Sequence, residues 1–595
     1  MDLHSQKSFD FNRVFDLLHF QKDRYPNHRA LSCWYHGSWH ALSITTVLDR
    51  VDALTLILVQ AGFKKADKAI LVPESGNPEW IIIDLALQQL GIVVVPVHPT
   101  LNTDEIKYIF NEIKPNLIVT LNRHTYDKWI PLTTKNIFHL EKGEAGHFHY
   151  MNNTGLEYTL ISQLQAVKEM VHEDDLSTIL YTSGSTGINK GVMLSHKNIV
   201  HTIKSILTIL PLGPGTKVIS FLPFSHIFER TTCYAYLAFG ASIFFSEDKS
   251  RFTHDFRSVR PEFCTAVPRV LEKMYDHLDG IMMRKNRLVR KTIEWALTIG
   301  EKYDVDKSLD IYYKFQLTIA RVLVLNRFRK ALGGHLKWMI VGASALRPEI
   351  SRLFSAGKVR IIEGYGMTEM APLISINRLE PGMYRIGSVG MSVPGVEIKI
   401  DSPDENGTGE IFVKGPNLMQ GYYQKKELTA SCVNADGWLQ TGDIGRIGEK
   451  RFLYINDRKK DIFKTSSGKY VSPLPLQLHF EKSPFVLRCL ILGFQKPYVT
   501  ALIVPNFELL EVWCKKNAIH YTSAEYMVFN VKVRALYQSE VDRLNTSVAS
   551  HEQVCDFVLC HQDWTVESKE VTTTLKPIRH LLMEHYQKAI DSMYS

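Results

Sequence analysis

Short unbroken apolar runs alternate with segments of helical period through the first part of this chain, and that alternation limits its fold more than any other feature. Helical patterns at 14–20, 44–61 and 103–113 are interleaved with apolar runs at 69–72, 92–97 and 117–120. A strand that is apolar along its whole length is buried on both faces, so the alternation predicts a parallel sheet covered by helices. The pattern resumes at 218–222, 242–245, 263–266 and 338–341. Between 387 and 453 the texture changes to short strands (396–400, 410–413, 452–454) set apart by Gly, Pro, Asn and Asp, which predicts a β-rich subdomain. Beyond the charged stretch Asp457-Arg-Lys-Lys-Asp461 a smaller α+β segment follows, with strands at 487–493 and 498–505. A length of 595 residues is too great for one core. The expected fold class is α/β: a large N-terminal domain (1–457) of layered α/β subdomains plus the β-rich subdomain, and a small α+β C-terminal domain (461–595), with the junction at 458–460.

The stretch Tyr181-Thr-Ser-Gly-Ser-Thr-Gly-Ile-Asn-Lys-Gly191 concentrates hydroxyls, glycines and one lysine at a strand end. Polyphosphate oxygens need many donors at close range; glycines let backbone N–H groups approach, hydroxyls add donors and Lys190 adds a point charge. The run 192–199 begins apolar and turns polar. The P-loop spacing of Gly, four residues and Gly-Lys-Ser/Thr is absent, because Lys190 precedes Gly191, which counts against an ordinary P-loop NTPase.

Composition excludes some classes. Eight scattered cysteines form no CxxC pair, which argues for reduced thiols and against a zinc site. The first ten residues lack the apolar core of a secretory signal, and the apolar stretch 80–97 is broken by Asp84, Gln88 and Gln89, so it reads as a helix feeding a buried strand. A cytoplasmic protein is expected, with peripheral residence on the inner face of a membrane left open. The net charge of +8 is too small for this length to indicate nucleic acid. Its distribution is uneven: from Arg284 to Lys330 there are twelve Lys/Arg against five acids, interleaved with Leu288, Ile293, Trp295, Ala296, Leu297, Leu317, Ile319, Val322 and Leu323. That insertion (about 281–332) suits anionic lipid, and equally suits a packed helical pair with a solvated basic face.

Further motifs fall where strands end. Gly342-Ala-Ser-Ala345 follows 338–341, and Glu363-Gly-Tyr-Gly-Met-Thr-Glu369 follows 359–362. Ligands of open parallel sheets gather at the carboxyl ends of strands, so both loops are expected to face the phosphate loop. Gly364 and Gly366 allow close approach of a flat base, Tyr365 can stack on it, and Thr368 and Glu369 offer oxygens suited to magnesium.

The ordered set YTSGSTGINKG, EGYGMTE, GWLQTGD, DRKKDIFK and TLKPIR resembles the adenylate-forming superfamily of acyl-CoA synthetases, luciferases and adenylation domains. The segments Phe221-Leu-Pro-Phe-Ser-His-Ile-Phe-Glu-Arg230, 260–273 and 328–334 look most like its long-chain fatty acyl-CoA synthetase branch. The resemblance implies ATP, Mg2+ and CoA as cofactors or co-substrates, and a mobile C-terminal domain. It places Thr182, Ser183, Gly184, Ser185, Thr186, Gly187 and Lys190 on the ATP phosphates, with Thr182 and Glu369 as the metal-linked oxygens. Gly342, Ala343, Ser344, Gly364, Tyr365 and Gly366 would line the adenine, with Thr368 at the α-phosphate. Asp443 would accept both ribose hydroxyls, Arg458 would support the nucleotide and Lys460 would mark the hinge. Lys576 would be the catalytic lysine, acting with Glu369 and Thr368, and Ser466, Ser467, Gly468 and Lys469 would approach CoA.

Around this set, His226 reads either as a core histidine or as a flank of the acyl pocket, and Glu229 with Arg230 reads as a structural ion pair. Asn189 stands where most relatives have proline, and Gln477 replaces a common glutamate. The expected activity is ATP-dependent conversion of a medium-to-long fatty acid through an acyl-adenylate to acyl-CoA. Transfer to a carrier protein, amino-acid activation and a non-catalytic nucleotide-binding role at a membrane stay as alternatives. Partners are the fatty acid, ATP and CoA, with anionic membrane and a homodimer left open and no nucleic acid expected.

Overall fold

The buried strands find their places in two large sheets. The computed structural model describes residues 9–72, 77–133, 136–139, 158–183, 189–283, 287–305, 310–466, 469–565, 568–572 and 577–594. One sheet runs, in spatial order, Gly421–Tyr422, Asn189–Ser195, Leu176–Ser183, Val93–Pro96, Lys68–Val72, Leu117–Thr120 and Ile137–His139, parallel from Leu176–Ser183 to Ile137–His139. The other places Trp338–Val341 and Phe263–Ala266 at its centre, flanked by Arg360–Gly366 on one side and Lys217–Ser220 and Ser242–Phe245 on the other. A hairpin of Leu31–Tyr35 and Ser38–Leu42, which the sequence pattern does not signal, closes its far edge.

Local chemistry sets the covering helices. Thr103–Ile113 begins at a reciprocal cap between Asn102 and Glu105 and buries Ile106, Ile109 and Ile113 along one stripe. Every residue of Pro78–Gln89 is buried, because this helix lies in the apolar cluster that spans both large sheets, together with Ile227–Ala238. Its Asp84 is held by Arg230, whose Nη2 lies 2.5 Å and Nε 3.0 Å from the carboxylate. Thr178, Tyr234 and Gln88 complete the network, so each buried charge is paired and hydrogen-bonded.

This arrangement corrects the expected Glu229–Arg230 pair. Neighbours on a helix do not face each other. Arg230 turns to Asp84, while Glu229 accepts from Ser220 at 2.5 Å and Thr265 at 2.7 Å. Burial pushes the Glu229 carboxyl up to about 7 against the opposing pull of those hydroxyls.

The β-rich part is a four-stranded antiparallel sheet of Glu397–Asp401, Thr408–Lys414, Leu439–Ile447 and Leu453–Arg458. Two apolar clusters are drawn wholly from residues 463–594, around the strands Val486–Leu492, Val499–Pro505 and Val554–Leu559. The basic insertion contains the helices Arg287–Glu301 and Ile311–Ala320, the latter continuing through a π turn, Arg321–Leu325. Ile293, Ala296, Leu297 and Leu317 pack inward; Leu288, Val322 and Leu323 are exposed. Arg284 and Lys285 lie outside the described residues. Among the described residues no helix is long and apolar enough to cross a membrane.

Candidate active site

The glycine- and hydroxyl-rich stretch joins two antiparallel strands. Thr182 is paired with Lys190 and Ser183 with Asn189, so Asn189–Ser195 is a strand that leads into the helix His196–Ile209. Gly184, Ser185, Thr186 and Gly187 lie outside the described residues, as does the side chain of Ser183. A Cβ on Gly191 would stand 2.7 Å from the Ile179 side chain, which explains that glycine by strand packing.

Lys190 reaches across to the short edge strand Gly421–Tyr422. Its ammonium is 3.1 Å from the Tyr422 hydroxyl and 4.5 Å from the ring centroid. Tyr422 in turn donates to Glu369 Oε1 at 2.8 Å, and burial with the nearby Glu369 charge raises the phenol above its ordinary range. Glu369 is buried in a 3-10 turn, Thr368–Met370, that also carries Thr368. The order is therefore cation, phenol, carboxylate.

A second group forms around Asp443. Glu363-Gly-Tyr-Gly366 is not a loop, as the sequence suggested, but the continuation of Arg360–Gly366, pairing antiparallel with Leu373–Ile376. A Cβ on Gly366 would lie 2.0 Å from the Pro372 carbonyl oxygen, so the close partner strand requires glycine there. A Cβ on Gly342 would stand 3.4 Å from the Gly364 carbonyl oxygen, which puts the Gly342-Ala343-Ser344 turn against the Gly364-Tyr365 strand. Ala343 takes a left-handed φ of 73°, and Ser344 is exposed. Tyr365 donates to Asp443 Oδ2 at 2.6 Å, and Arg458 Nε lies 3.2 Å from Oδ1. Asp443 and Arg458 are direct cross-strand partners.

Lys460 follows within two residues. Burial lowers its pKa; Arg458 and Lys190 add like-charge repulsion, while Asp461 and Asp443 oppose them. Its ammonium thus shares a field with residues of both groups. Ser466 and Lys469 lie between two paired strands, Phe463–Lys464 and Tyr470–Val471, and the Ser466 amide donates to Lys496 O at 2.9 Å. Ser467, Gly468 and Lys576 lie outside the described residues.

The residues fit a magnesium ion. Thr182 Oγ1 is buried with no hydrogen-bond partner among the described residues, and Glu369 supplies one carboxylate. Magnesium commonly takes one or two protein carboxylates together with substrate phosphates rather than an all-protein cage, and this donor set matches that habit.

Several contributors carry no sequence signal of their own. Tyr422 and Lys425 are brought in by the Gly421-Tyr-Tyr-Gln-Lys-Lys stretch, which only its aromatic and basic content could have flagged. Lys425 Nζ contacts the Tyr108 hydroxyl at 2.6 Å and the Asn189 carbonyl at 2.8 Å, and lies 3.5 Å from Glu112. Tyr181 donates to the other oxygen of Glu112. Tyr181, near the end of one strand, and Asn189, at the start of the next, are thereby anchored to the helix Thr103–Ile113. His226 immediately precedes Ile227–Ala238 with its ring 5.8 Å from that of His98, and burial lowers its pKa to about 4. Gln477 Oε1 faces Arg579 at 3.3 Å, and burial lowers the guanidinium's pKa.

Residues 18–423 match the AMP-binding enzyme family, and residues 460–595 match the AMP-binding enzyme C-terminal domain. The human protein called long-chain-fatty-acid–CoA ligase 6 is 31% identical over 93% of this chain and 82% of its own. Fatty acyl-CoA synthetase A of Dictyostelium discoideum is 28% identical over 98% of this chain and 90% of its own. The adenylation domain of a carboxylate reductase from Mycobacterium chelonae superposes with a TM-score of 0.72 at 20% identity, covering 98% of this chain and 91% of that one.

Proposed function

The chain belongs to the AMP-binding enzyme family, within the long-chain acyl-CoA synthetase branch of the adenylate-forming enzymes, and from that premise we propose that it activates a medium-to-long fatty acid as its CoA thioester. The observation that carries this reading is the similarity to long-chain-fatty-acid–CoA ligases along both parts of the chain. ATP and CoA are the co-substrates.

The fatty carboxylate oxygen attacks the α-phosphorus of ATP; the bond to the bridging oxygen breaks, pyrophosphate leaves and an acyl-adenylate remains. The CoA sulfur then attacks the acyl carbon, its proton passes to solvent and AMP leaves. Two anions must approach in the first step, so positive groups have to face them. Thr182 and Glu369 would hold magnesium, whose charge would offset this repulsion. Lys190 serves the β- and γ-phosphates, from a position set by the Tyr422 ring. Asp443 takes the ribose hydroxyls; a carboxylate accepts two at once, and Tyr365 and Arg458 hold its two oxygens in place. The turn at Gly342, Ala343 and Ser344 lies beside Gly364 and Tyr365 and forms the adenine wall. Thr368 serves the α-phosphate, and Lys576 supplies the second cation where the carboxylate arrives.

The domain division at 458–460 belongs to this reading. It is supported by apolar clusters confined to 463–594. Rotation there would withdraw Lys576 and bring the stretch Ser466, Ser467, Gly468 and Lys469 toward CoA.

Pyrophosphate release across a panel of fatty acids, with and without CoA, tests the reading. Long saturated acids should support CoA-dependent turnover. Lys576→Ala should lower adenylation far more than thioester formation from supplied acyl-adenylate, and equal loss in both would overturn its role.

A further inference from the structure

The helical insertion turns an apolar ridge to solvent. Along the helix Ile311–Ala320 and the π turn after it, Ile311, Phe315, Ile319 and Val322 recur at spacings of four, four and three, which puts them on one face. Their exposures are 83%, 64%, 36% and 73%, and Tyr312 and Leu323 flank them at 68% and 43%. The opposite face is fully occupied: Leu317, Ala320, Val324 and Leu325 are buried in the cluster that includes Arg287–Glu301. The ridge is therefore a second apolar face that stands outside the cluster seating this helix.

Soluble surfaces rarely gather large apolar side chains in this way unless the patch meets a partner. Charge identifies the partner. Lys314 and Arg321 border the ridge, and Arg321 also lines a cleft of about 320 Å³ with Lys337, Lys358 and Arg360. Glu262 pairs with Lys337 at 2.6 Å, which leaves the cleft positive overall. Arg321 Nε is committed to the Ala356 carbonyl at 2.7 Å, so the guanidinium is held in place. The cleft lies at the amino ends of Trp338–Val341 and Arg360–Gly366, opposite the carboxyl ends that carry Gly342 and Gly364.

We propose that this insertion docks the protein on an anionic phospholipid bilayer. The ridge from Ile311 to Leu323 enters the headgroup–acyl boundary, and Lys314, Arg321 and the basic cleft meet lipid phosphates. An apolar edge bordered by basic groups is the pattern of an interfacial helix, and each basic group near an anionic surface adds attraction that salt screens. The inference deepens the proposed function, since it rests on a substrate that partitions into lipid, but its binding step requires no catalysis.

Flotation of the full chain with phosphatidylcholine vesicles, and with vesicles containing phosphatidylserine, provides the test. Wild type should float with the phosphatidylserine vesicles at least tenfold better, and more weakly as salt rises. The double change Phe315→Glu and Val322→Glu should abolish flotation while leaving pyrophosphate release on detergent-dispersed fatty acid unchanged. Undiminished flotation of the double variant would overturn the proposal, as would equal flotation on both vesicle types. Self-association in sedimentation that this variant removes, without vesicle binding by the wild type, would instead assign the ridge to a second copy and also overturn it. Flotation of an inactive wild type would sustain the docking surface while defeating the enzymatic reading.

Discussion

Lys190 rests against Tyr422 with its ammonium 4.5 Å from the ring centroid, while the hydroxyl of that tyrosine bonds to Glu369. One aromatic side chain thus spaces the proposed phosphate lysine from the proposed magnesium carboxylate. Direct pairing of the two charges would neutralise both.

Tyr422→Phe keeps the ring and removes the hydroxyl link. Pyrophosphate exchange should fall about tenfold, equivalent to about 1.4 kcal/mol, with a higher Mg2+ concentration at half-saturation. An unchanged Mg2+ dependence would separate Tyr422 from the site.

Asp443→Asn preserves size and removes the charge. On the proposed reading its hydrogen bonds to ribose would lose about 1.5–3 kcal/mol, so KM for ATP should rise by one to two orders of magnitude while KM for CoA holds. Tyr365→Phe should give a smaller rise, because it frees one carboxylate oxygen without removing an acceptor. Initial-rate kinetics with each substrate varied in turn would check both.

The Asp84–Arg230 pair is a matter of stability. Asp84→Ala would leave a fully buried guanidinium without its carboxylate and should cost about 3–5 kcal/mol in chemical denaturation. A double variant, Asp84→Leu with Arg230→Met, should lose less than the single one, since it strands no charge. The reverse ranking would show that the network contributes more than it costs.

Glu229 makes stability depend on pH. Its folded pKa, about 7, lies above the ordinary 4.5, so the folded protein holds the proton more tightly than the unfolded chain. The contribution is complete below pH 4.5, declines as pH rises through about 7, and amounts to about 3 kcal/mol. Glu363 and Glu481, raised by burial to about 8 and about 7, add slopes of the same sign. Denaturation of Glu229→Gln between pH 5 and 8 should show a shallower decline than wild type. A parallel decline would place the effect elsewhere.

Two contacts join the helix Pro348–Ala356 and its approach to the C-terminal part: Arg347 donates to Glu481 O at 2.6 Å, and Lys482 lies 2.8 Å from Glu349. On the proposed reading they hold one posture of the two half-reactions. Arg347→Ala should shift the ratio of adenylation to thioester formation by several-fold and increase proteolysis at 458–460. Neither change would be expected of a residue with only a local packing role.

Much of the framework is legible before any coordinates. The helix 103–113 and the strands 117–120, 242–245, 263–266 and 338–341 match the structure, because a reciprocal cap and unbroken apolar runs are local signals. The hairpin of Leu31–Tyr35 and Ser38–Leu42 escapes because its residues mix aromatic, apolar and polar types without period. Glu229 and Arg230 invite pairing by adjacency, which helix geometry forbids. At the site, Asp443 and Glu369 sit within recognisable motifs. Tyr422, Lys425, Tyr108 and Glu112 do not, since their value lies in contacts between positions more than two hundred residues apart, as in Lys190 with Tyr422 and Lys425 with Tyr108. No local pattern carries such information.

The strand Leu453–Arg458 has two duties. It pairs Arg458 with Asp443 and then, through the Lys459 amide bonded to the Gly442 carbonyl at 2.9 Å, leads directly into the C-terminal part. On the proposed reading, a nucleotide held by Asp443 steadies the root of the segment that turns. On that reading the adenylate stays seated on the fixed side of the pivot through both half-reactions, and the C-terminal part swings about a root that its own reactant keeps in line.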